Sequence, residues 1–173
     1  MHYLEKHLID RNMNPSLYSV GFDLEEGIVT FFLYNFSGQI IGYQKYNPNA
    51  TKEKRNHPKE GRYYTYLPKK TDGVFGLEVL NSELRTIYIV EGIFKAATLH
   101  RLGYNAIAVL GNSPKRLKPW FKIMKQAWNL VGIGDEGKPG KLLVNAVGKG
   151  FQSEKDLDEM DDSDINRILG EYK

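Results

Sequence analysis

Four carboxylates stand at positions where a chain of alternating strands and helices would bring them together. Glu91 directly follows the apolar run "IYIV", and Asp135 directly follows "NLVGIG"; a glycine-containing turn into a helix comes after each. In an open α/β sheet, ligands gather at the carboxyl ends of the strands. Asp156 and Asp158 lie further along, in "EKDLDEM", and in an extended chain two such residues share one face. These four residues are therefore candidate ligands of one site.

The chemistry that such a group could perform depends on a cation. Carboxylates that converge from separate strand ends repel one another unless a cation lies between them, and their oxygen atoms suit Mg²⁺ or Mn²⁺. A metal held there could bind phosphates and stabilise the charge that develops in phosphoryl transfer. The plainer interpretation is that each acid is a surface residue or a helix cap.

The elements that must position these acids alternate in the second half of the chain. Strands are predicted at residues 87–90, 106–110 and 129–133, and helices at residues 94–102, 115–126, 140–148 and 164–171. This alternation predicts an α/β fold with a parallel sheet flanked by helices. In the first half, "GIVTFFLYNFSGQIIGYQKYN" predicts a β-hairpin, and a long polar, basic loop with one short strand, "RYYTYL", follows it.

Composition narrows the possible classes of protein. The chain has 173 residues, of which 41% are hydrophobic and none is cysteine. The absence of cysteine excludes disulfides, thiol nucleophiles and Cys-based zinc sites. No apolar run approaches the roughly 18 residues of a membrane span, and the N-terminus does not resemble a signal peptide. The sequence predicts a cytoplasmic protein with no membrane association.

Charge is distributed unevenly although the net charge is only +3. Residues 45–70 and 115–125 are basic, whereas residues 153–173 are acidic, which predicts a polyanion-binding surface apart from an acidic cluster. Tyrosines alternate with the cations of the first segment, and single-stranded nucleic acids are held by cations on phosphates and aromatic rings on bases. An alternative is that some tyrosines, Tyr43 and Tyr46 in particular, belong to the core of the hairpin. The predicted nucleic-acid-binding residues are Lys45, Arg55, Arg62, Tyr64, Lys69, Lys70, Lys95, Lys115 and Arg116.

The ordered motifs resemble a known family. "IYIVEGIFKAATLHRLGYNAIAVLG" resembles the first motif of the TOPRIM domain of bacterial and phage primases, topoisomerases and some nucleases. "GIGDEGKPGKLLVNA" and "EKDLDEM" resemble the motifs that follow, and the hairpin with "RYYTYLPK" and "GVFGLEVL" resembles the lobe that precedes TOPRIM in primases. The resemblance covers residues 25–169 and implies two domains, a basic β-rich lobe at residues 1–84 and a TOPRIM domain at residues 85–173.

The resemblance also implies a function. Glu91 and Asp135 would be catalytic, and Glu91, Asp135, Asp156 and Asp158 would bind Mg²⁺ or Mn²⁺. The protein would bind single-stranded DNA and nucleoside triphosphates in a basic cleft between the lobes, with contacts from Lys45, Arg62 and Lys95, and would synthesise RNA primers in phage or bacterial DNA replication. A helicase or another replication protein would be its partner.

Two residues depart from the pattern of the family. Primases usually have an acid where Lys95 stands, and the second aspartate of their Asp-x-Asp motif is replaced by Gly137. The site thereby loses two negative charges and gains one positive charge, which lowers the expected metal affinity. Two alternatives remain open: a degenerate TOPRIM protein that binds nucleic acid or a protein without chemistry, and a metal-dependent nuclease.

Overall fold

The computed structural model describes residues 1–53, 57–110 and 114–172. The helices are α1 (Tyr3–Asp10), α2 (Ile93–Arg101), α3 (Lys118–Met124), α4 (Lys138–Val147) and α5 (Asp162–Gly170). The strands are β1 (Val20–Asp23), β2 (Ile28–Tyr34), β3 (Ile40–Tyr46), β4 (Tyr63–Tyr66), β5 (Val74–Phe75), β6 (Thr86–Val90), β7 (Asn105–Val109), β8 (Asn129–Asp135) and β9 (Gly150–Ser153). Short 3₁₀ turns occur at Pro15–Leu17, Leu77–Val79 and Leu157–Glu159.

Nine strands of the described chain form one sheet. Its order is β4-β3-β2-β5-β7-β6-β8-β9, with β1 paired to β2 outside this path. Strands β6 to β9 pair in parallel, whereas β1 to β5 pair antiparallel and β5 joins the two halves through β7. The predicted α/β class with a parallel-type sheet and a preceding β-rich part is confirmed. The division into domains at residue 84 stays a prediction, because the sheet runs without interruption from one part into the other.

Helices cover both faces of the sheet, which we call face A and face B. On face A, Tyr88 and Val90 pack with residues of α1, α2 and α5. On face B, Ile87 and Ile89 pack with residues of α3 and α4. Successive side chains of a strand point to opposite faces, so a parallel strand buried on both sides is apolar at successive positions, as β6 is from Ile87 to Val90.

The structure differs from the sequence-based prediction at several boundaries. The helix predicted at residues 115–126 is Lys118–Met124, with its proline in the first turn, where the missing N–H leaves no helical hydrogen bond unmade. The predicted strand 129–133 continues to Asp135. Three elements were not predicted: α1, β1 and β9. They are short, and β9, with the sequence "GFQS", has little apolar character.

Helix α1 illustrates the signal that a short element can carry. Leu4 and Leu8 are fully buried and lie four residues apart on one helical side. The Nδ1 atom of His2 accepts a hydrogen bond from the N–H of Glu5 at 3.2 Å and caps the helix. Both leucines belong to the hydrophobic cluster of face A, so α1 packs on this face. Within the described residues, no helix combines the length and apolar character that crossing a bilayer requires, and the cytoplasmic location stays a prediction.

Candidate acidic site and nucleic-acid interface

Three adjacent parallel strands bring acidic residues to one edge of the sheet. Glu91 follows β6, Asp135 ends β8, and Asp156 follows β9 by a short loop. Strand β8 pairs with both β6 and β9, so their carboxyl ends meet at the same edge. The N–H of Asp135 donates a hydrogen bond to Oε2 of Glu91 at 3.0 Å. The sequence-based prediction that these strand ends converge is therefore realised in the geometry.

Close packing of α4 against β8 fixes the position of Asp135. A Cβ atom added to Gly140 would lie 1.8 Å from the carbonyl oxygen of Asp135, and one added to Gly134 would lie 2.2 Å from the carbonyl oxygen of Gly140. Only glycine permits these approaches. The amide of Gln152 donates to the carbonyl oxygens of Asp135 and Gly137, at 2.8 Å each, and ties β9 to the same turn.

The ammonium group of Lys95 lies between two of the candidate metal ligands. Its Nζ atom forms an ion pair with Oδ1 of Asp135 and a second with Oδ1 of Asp156, the latter at 3.0 Å. The Lys95 side chain is only 12% exposed. Burial opposes its charge, but the hydrogen bonds and charges of the two aspartates outweigh burial and raise the pKa of Lys95 above its usual value.

A second internal cation, Arg11, holds the remaining acid. Its Nη2 atom donates to Oδ2 of Asp158 at 2.6 Å, and its Nη1 atom donates to the hydroxyls of Tyr46 and Tyr63 at 3.3 and 3.1 Å. The guanidinium carbon lies 3.7 Å from the ring centroid of Phe94. Burial works against the charge of Arg11, but the hydrogen bonds to the two tyrosines more than offset it, so the pKa of Arg11 lies above its usual value.

Asp156 and Asp158 do not share an extended face, contrary to the prediction. Asp156 precedes the 3₁₀ turn Leu157–Glu159, whose curvature turns the two carboxylates toward different partners. Asp156 pairs with Lys95, whereas Asp158 pairs with Arg11.

These residues do not fit a divalent metal ion in their present arrangement. Among residues 1–53, 57–110 and 114–172, no three His, Asp or Glu side chains are grouped as a metal would require. Three of the four predicted ligands are bound to internal cations, and Glu91 accepts the N–H of Asp135. Burial, and then the nearby charge of Asp135, raise the pKa of Glu91, although that N–H and Lys95 act in the opposite direction. The assignment of Glu91 and Asp135 as catalytic residues stays a prediction.

A cleft of about 280 Å³ opens beside these ion pairs. Its lining includes Arg11, Gln44, Tyr63, Glu91 and Lys95. Gln44 is buried on face A, where its amide donates to Oγ1 of Thr65 on β4 at 2.8 Å. The cleft thus lies between the antiparallel part of face A and the acidic strand ends.

Two of the predicted nucleic-acid-binding residues lie on the opposite face of the sheet from this cleft. In the β3–β4 pairing, Lys45 is opposite Tyr64, and its neighbours in the chain, Gln44 and Tyr46, point to face A. Side chains alternate along a strand, so Lys45 and Tyr64 lie on face B. The register therefore places Lys45 behind the sheet, away from this cleft, and its contact with nucleic acid stays a prediction.

Tyrosines of β3 and β4 form a cluster on face B around these two residues. The ring of Tyr43 stacks on that of Tyr66 at a centroid distance of 5.3 Å and lies 6.4 Å from that of Tyr64. Tyr66 is 45% exposed, and Tyr43, Tyr64 and Lys45 are half-buried. By contrast, Tyr46 is 3% exposed and stacks on Tyr63 on face A. Tyr46 therefore belongs to the hydrophobic core, which was the alternative to a nucleic-acid contact in the sequence analysis.

The other predicted contacts are distributed around the molecule. Arg62 donates from Nε to the carbonyl oxygen of Ala50 at 2.8 Å and braces the loop before β4. Lys69 and Lys70 are exposed on the turn after β4, and Lys115 and Arg116 are exposed before α3, which packs on face B. Arg55 lies outside the described residues.

Arg11 is a residue of the cleft that sequence reasoning missed. It is 147 positions from its partner Asp158 along the chain, and no motif accompanies it. The spacing of Leu4 and Leu8 is the sequence signal that could have placed α1 on face A, and with it Arg11 near the cleft.

Comparison with solved structures shows which fold this is. The crystal structure of the Aquifex aeolicus primase, comprising zinc-binding and RNA polymerase domains, is 16% identical, matches 98% of this chain and 55% of that one, and has a TM-score of 0.68. A DnaG primase catalytic domain bound to single-stranded DNA is 17% identical over 96% of this chain and 60% of its own, with a TM-score of 0.60. The primase fragment of the bacteriophage T7 primase-helicase protein is 16% identical over 84% of this chain and 62% of its own, with a TM-score of 0.60.

The similarity is one of fold. No protein-family model matches the sequence, and the comparison with curated proteins finds no relative. The chain spans 55% to 62% of the length of these three structures. The TOPRIM, primase-like fold predicted from the ordered motifs is confirmed.

Proposed function

We propose that this protein is a primase-like TOPRIM protein of DNA replication that binds single-stranded DNA through the tyrosine cluster on face B. The observation that carries the proposal is the half-exposed group of Tyr43, Tyr64 and Tyr66 with Lys45 beside it. We call these four residues the tyrosine face.

The chemistry of the tyrosine face favours single strands over duplexes. Bases must be unpaired before they can stack on aromatic side chains, whereas cations bind the phosphates of either form. Tyr66 has the most exposed ring of the cluster, at 45%, and offers a surface for a base. The exposed Lys69 and Lys70 lie in the turn after β4 and would continue the contact along the phosphate backbone.

Fluorescence anisotropy tests the proposal. The probe is a labelled oligodeoxythymidine of about 16 nucleotides, a length within the range of single-strand binding sites. Tyr66→Ala should weaken binding about 5- to 150-fold, because stacking contributes about 1–3 kcal/mol per base. Tyr3→Ala is the matched control, since Tyr3 is 53% exposed on α1 and lies outside the tyrosine face. Equal affinities of the two variants, or tighter binding of duplex than of single strand, would contradict the proposal.

The salt dependence of the same binding reports the phosphate contacts. For single strands, the logarithm of the binding constant falls by about 0.7 per neutralised phosphate for each unit of log salt concentration. Lys45→Ala should reduce this slope by about that amount, while Tyr66→Ala should leave the slope unchanged and lower the affinity. A flat salt dependence in the wild type would exclude a phosphate-binding surface.

Primer synthesis is a second candidate, favoured by the position of Glu91 and Asp135 at the ends of adjacent parallel strands. In this case nucleoside triphosphates would be substrates, and the wild type would incorporate ribonucleotides on a single-stranded template. The ion pairs of Lys95 count against this candidate. Cleavage of the template without incorporation would instead assign a nuclease.

The partner proposed from the sequence is a helicase or another replication protein. One of the similar structures is the primase fragment of a primase-helicase protein, which supports this choice by analogy of fold. Co-purification of the chain with the replicative helicase of its host system, tested with and without single-stranded DNA, would separate direct contact from bridging by the strand.

A further inference from the structure

The acidic strand ends contain their own counterions. Asp135 and Asp156 come from neighbouring strands and would repel each other if both were ionised without a cation between them. Lys95 contributes an ammonium group to both carboxylates from the first turn of α2. This is the place that a divalent cation would have to occupy to bind the same two oxygen atoms.

The location of Lys95 is unfavourable for a cation on local grounds. The N-terminus of a helix carries a partial positive charge, which favours acidic side chains in the first turn and disfavours lysine. Lys95 is nevertheless largely buried there, at 12% exposure. Its charge is stabilised by the two aspartates, and this tertiary contact outweighs the helix terminus.

Arg11 completes the neutralisation from a different element. It binds Asp158, whose side chain is 11% exposed, and its guanidinium is fixed by two tyrosine hydroxyls and the ring of Phe94. Three of the four carboxylates are therefore paired with two internal cations, one at the end of α1 and one in α2. A divalent ion would have to displace Lys95 from its partners and then lie beside its charge.

We infer that Lys95 and Arg11 replace the divalent metal at this TOPRIM site, so that the acidic centre is a metal-independent ion-pair network joining α1, α2, β8 and the turn at Leu157–Glu159. This inference goes beyond the proposed function, since it concerns what holds the acids together rather than what binds to the tyrosine face. It predicts that the folded protein neither binds nor requires Mg²⁺ or Mn²⁺.

The test needs no nucleic acid, so its outcome is separate from that of the proposed function. Isothermal titration of Mn²⁺ and Mg²⁺ into the wild type should give no binding heat at millimolar metal, and neither EDTA nor metal should shift the melting temperature. Lys95→Asp should melt at a lower temperature without metal, because a fifth carboxylate replaces the cation. The same variant should show Mn²⁺ binding at millimolar metal, which the wild type lacks, because hard oxygen ligands become free.

Two further variants make the result decisive. Lys141→Asp has the same change of charge on an exposed residue of α4 and should gain no metal binding. Lys95→Gln removes the cation without adding an acid, and it gives the answer if Lys95→Asp does not fold; it should also gain metal-dependent thermal stabilisation. Metal binding by the wild type that is lost in Asp156→Asn, or no gain of metal binding in either Lys95 variant, would overturn the inference.

Discussion

Removal of Arg11 gives the sharpest test of how the N-terminal helix is joined to the rest of the fold. The guanidinium contacts Asp158, Tyr46, Tyr63 and Phe94, which come from four different parts of the chain. Arg11→Met keeps most of the apolar stem but removes the charge, every side-chain hydrogen bond and the contact of the guanidinium with the ring of Phe94. The variant therefore isolates the polar contribution of one side chain.

The expected loss of stability in Arg11→Met follows from the burial of Arg11 and Asp158. Breaking a buried ion pair from one side costs about 3–5 kcal/mol, because the other charge remains uncompensated. Arg11 is 29% exposed and Asp158 is 11% exposed, so solvent screens part of this penalty. The free energy of unfolding should fall by about 2–3 kcal/mol in Arg11→Met, which for a chain of this size lowers the melting temperature by about 4–12 °C.

Urea unfolding at neutral pH, followed by circular dichroism, measures the change in the free energy of unfolding. A double-mutant cycle shows how much of that change comes from the pairing of Arg11 with Asp158. Asp158→Asn combined with Arg11→Met should be more stable than the sum of the single effects predicts, by about 1–2 kcal/mol. Arg167→Met is the control, since Arg167 is 70% exposed and its pairing with Asp164 should be worth at most about 0.5 kcal/mol. A loss below about 1 kcal/mol in Arg11→Met, or additive effects in the cycle, would refute the idea that this network stabilises the fold.

Three further predictions concern single positions. Gly140→Ala should destabilise the fold by about 2 kcal/mol or more, measured by urea unfolding, because its Cβ would overlap the carbonyl oxygen of Asp135; a neutral effect would contradict the close approach of α4. Burial is the first cause of the raised pKa of Glu91, so folding favours the protonated form of this side chain. Glu91→Gln should therefore gain thermal stability relative to the wild type as the pH rises above about 4.3, and a difference in stability that stays constant across pH would contradict this. Burial lowers the pKa of His100, whose ring is hydrogen-bonded to the hydroxyl of Tyr18. The melting temperature of the wild type should therefore fall as the pH drops below about 6.5, and that of His100→Gln should fall less over the same pH range.

Much of the parallel half of the fold could be predicted because its signals are local. A run such as "IYIV" is apolar at every position, which is typical of a strand buried on both faces, and the turn residues after it begin a helix. The short elements α1, β1 and β9 gave weaker signals, since four to eight residues carry little periodicity. Strand β9 is held by its pairing with β8 and not by its own composition.

The placement of acids at the strand ends was determined by the sequence, because Glu91 and Asp135 are covalently next to residues that must be strands. Alternation along β3 also dictates that Lys45 and Tyr46 point to opposite faces. Which face is covered by α1 and α2 and which presents the tyrosines depends on contacts between distant parts of the chain, and only the tertiary structure decided it. The same holds for the counterions: Lys95 had several acids within possible reach, and Arg11 meets Asp158 across 147 positions. Ion pairs depend on distance in space and on burial, and neither quantity is local in sequence.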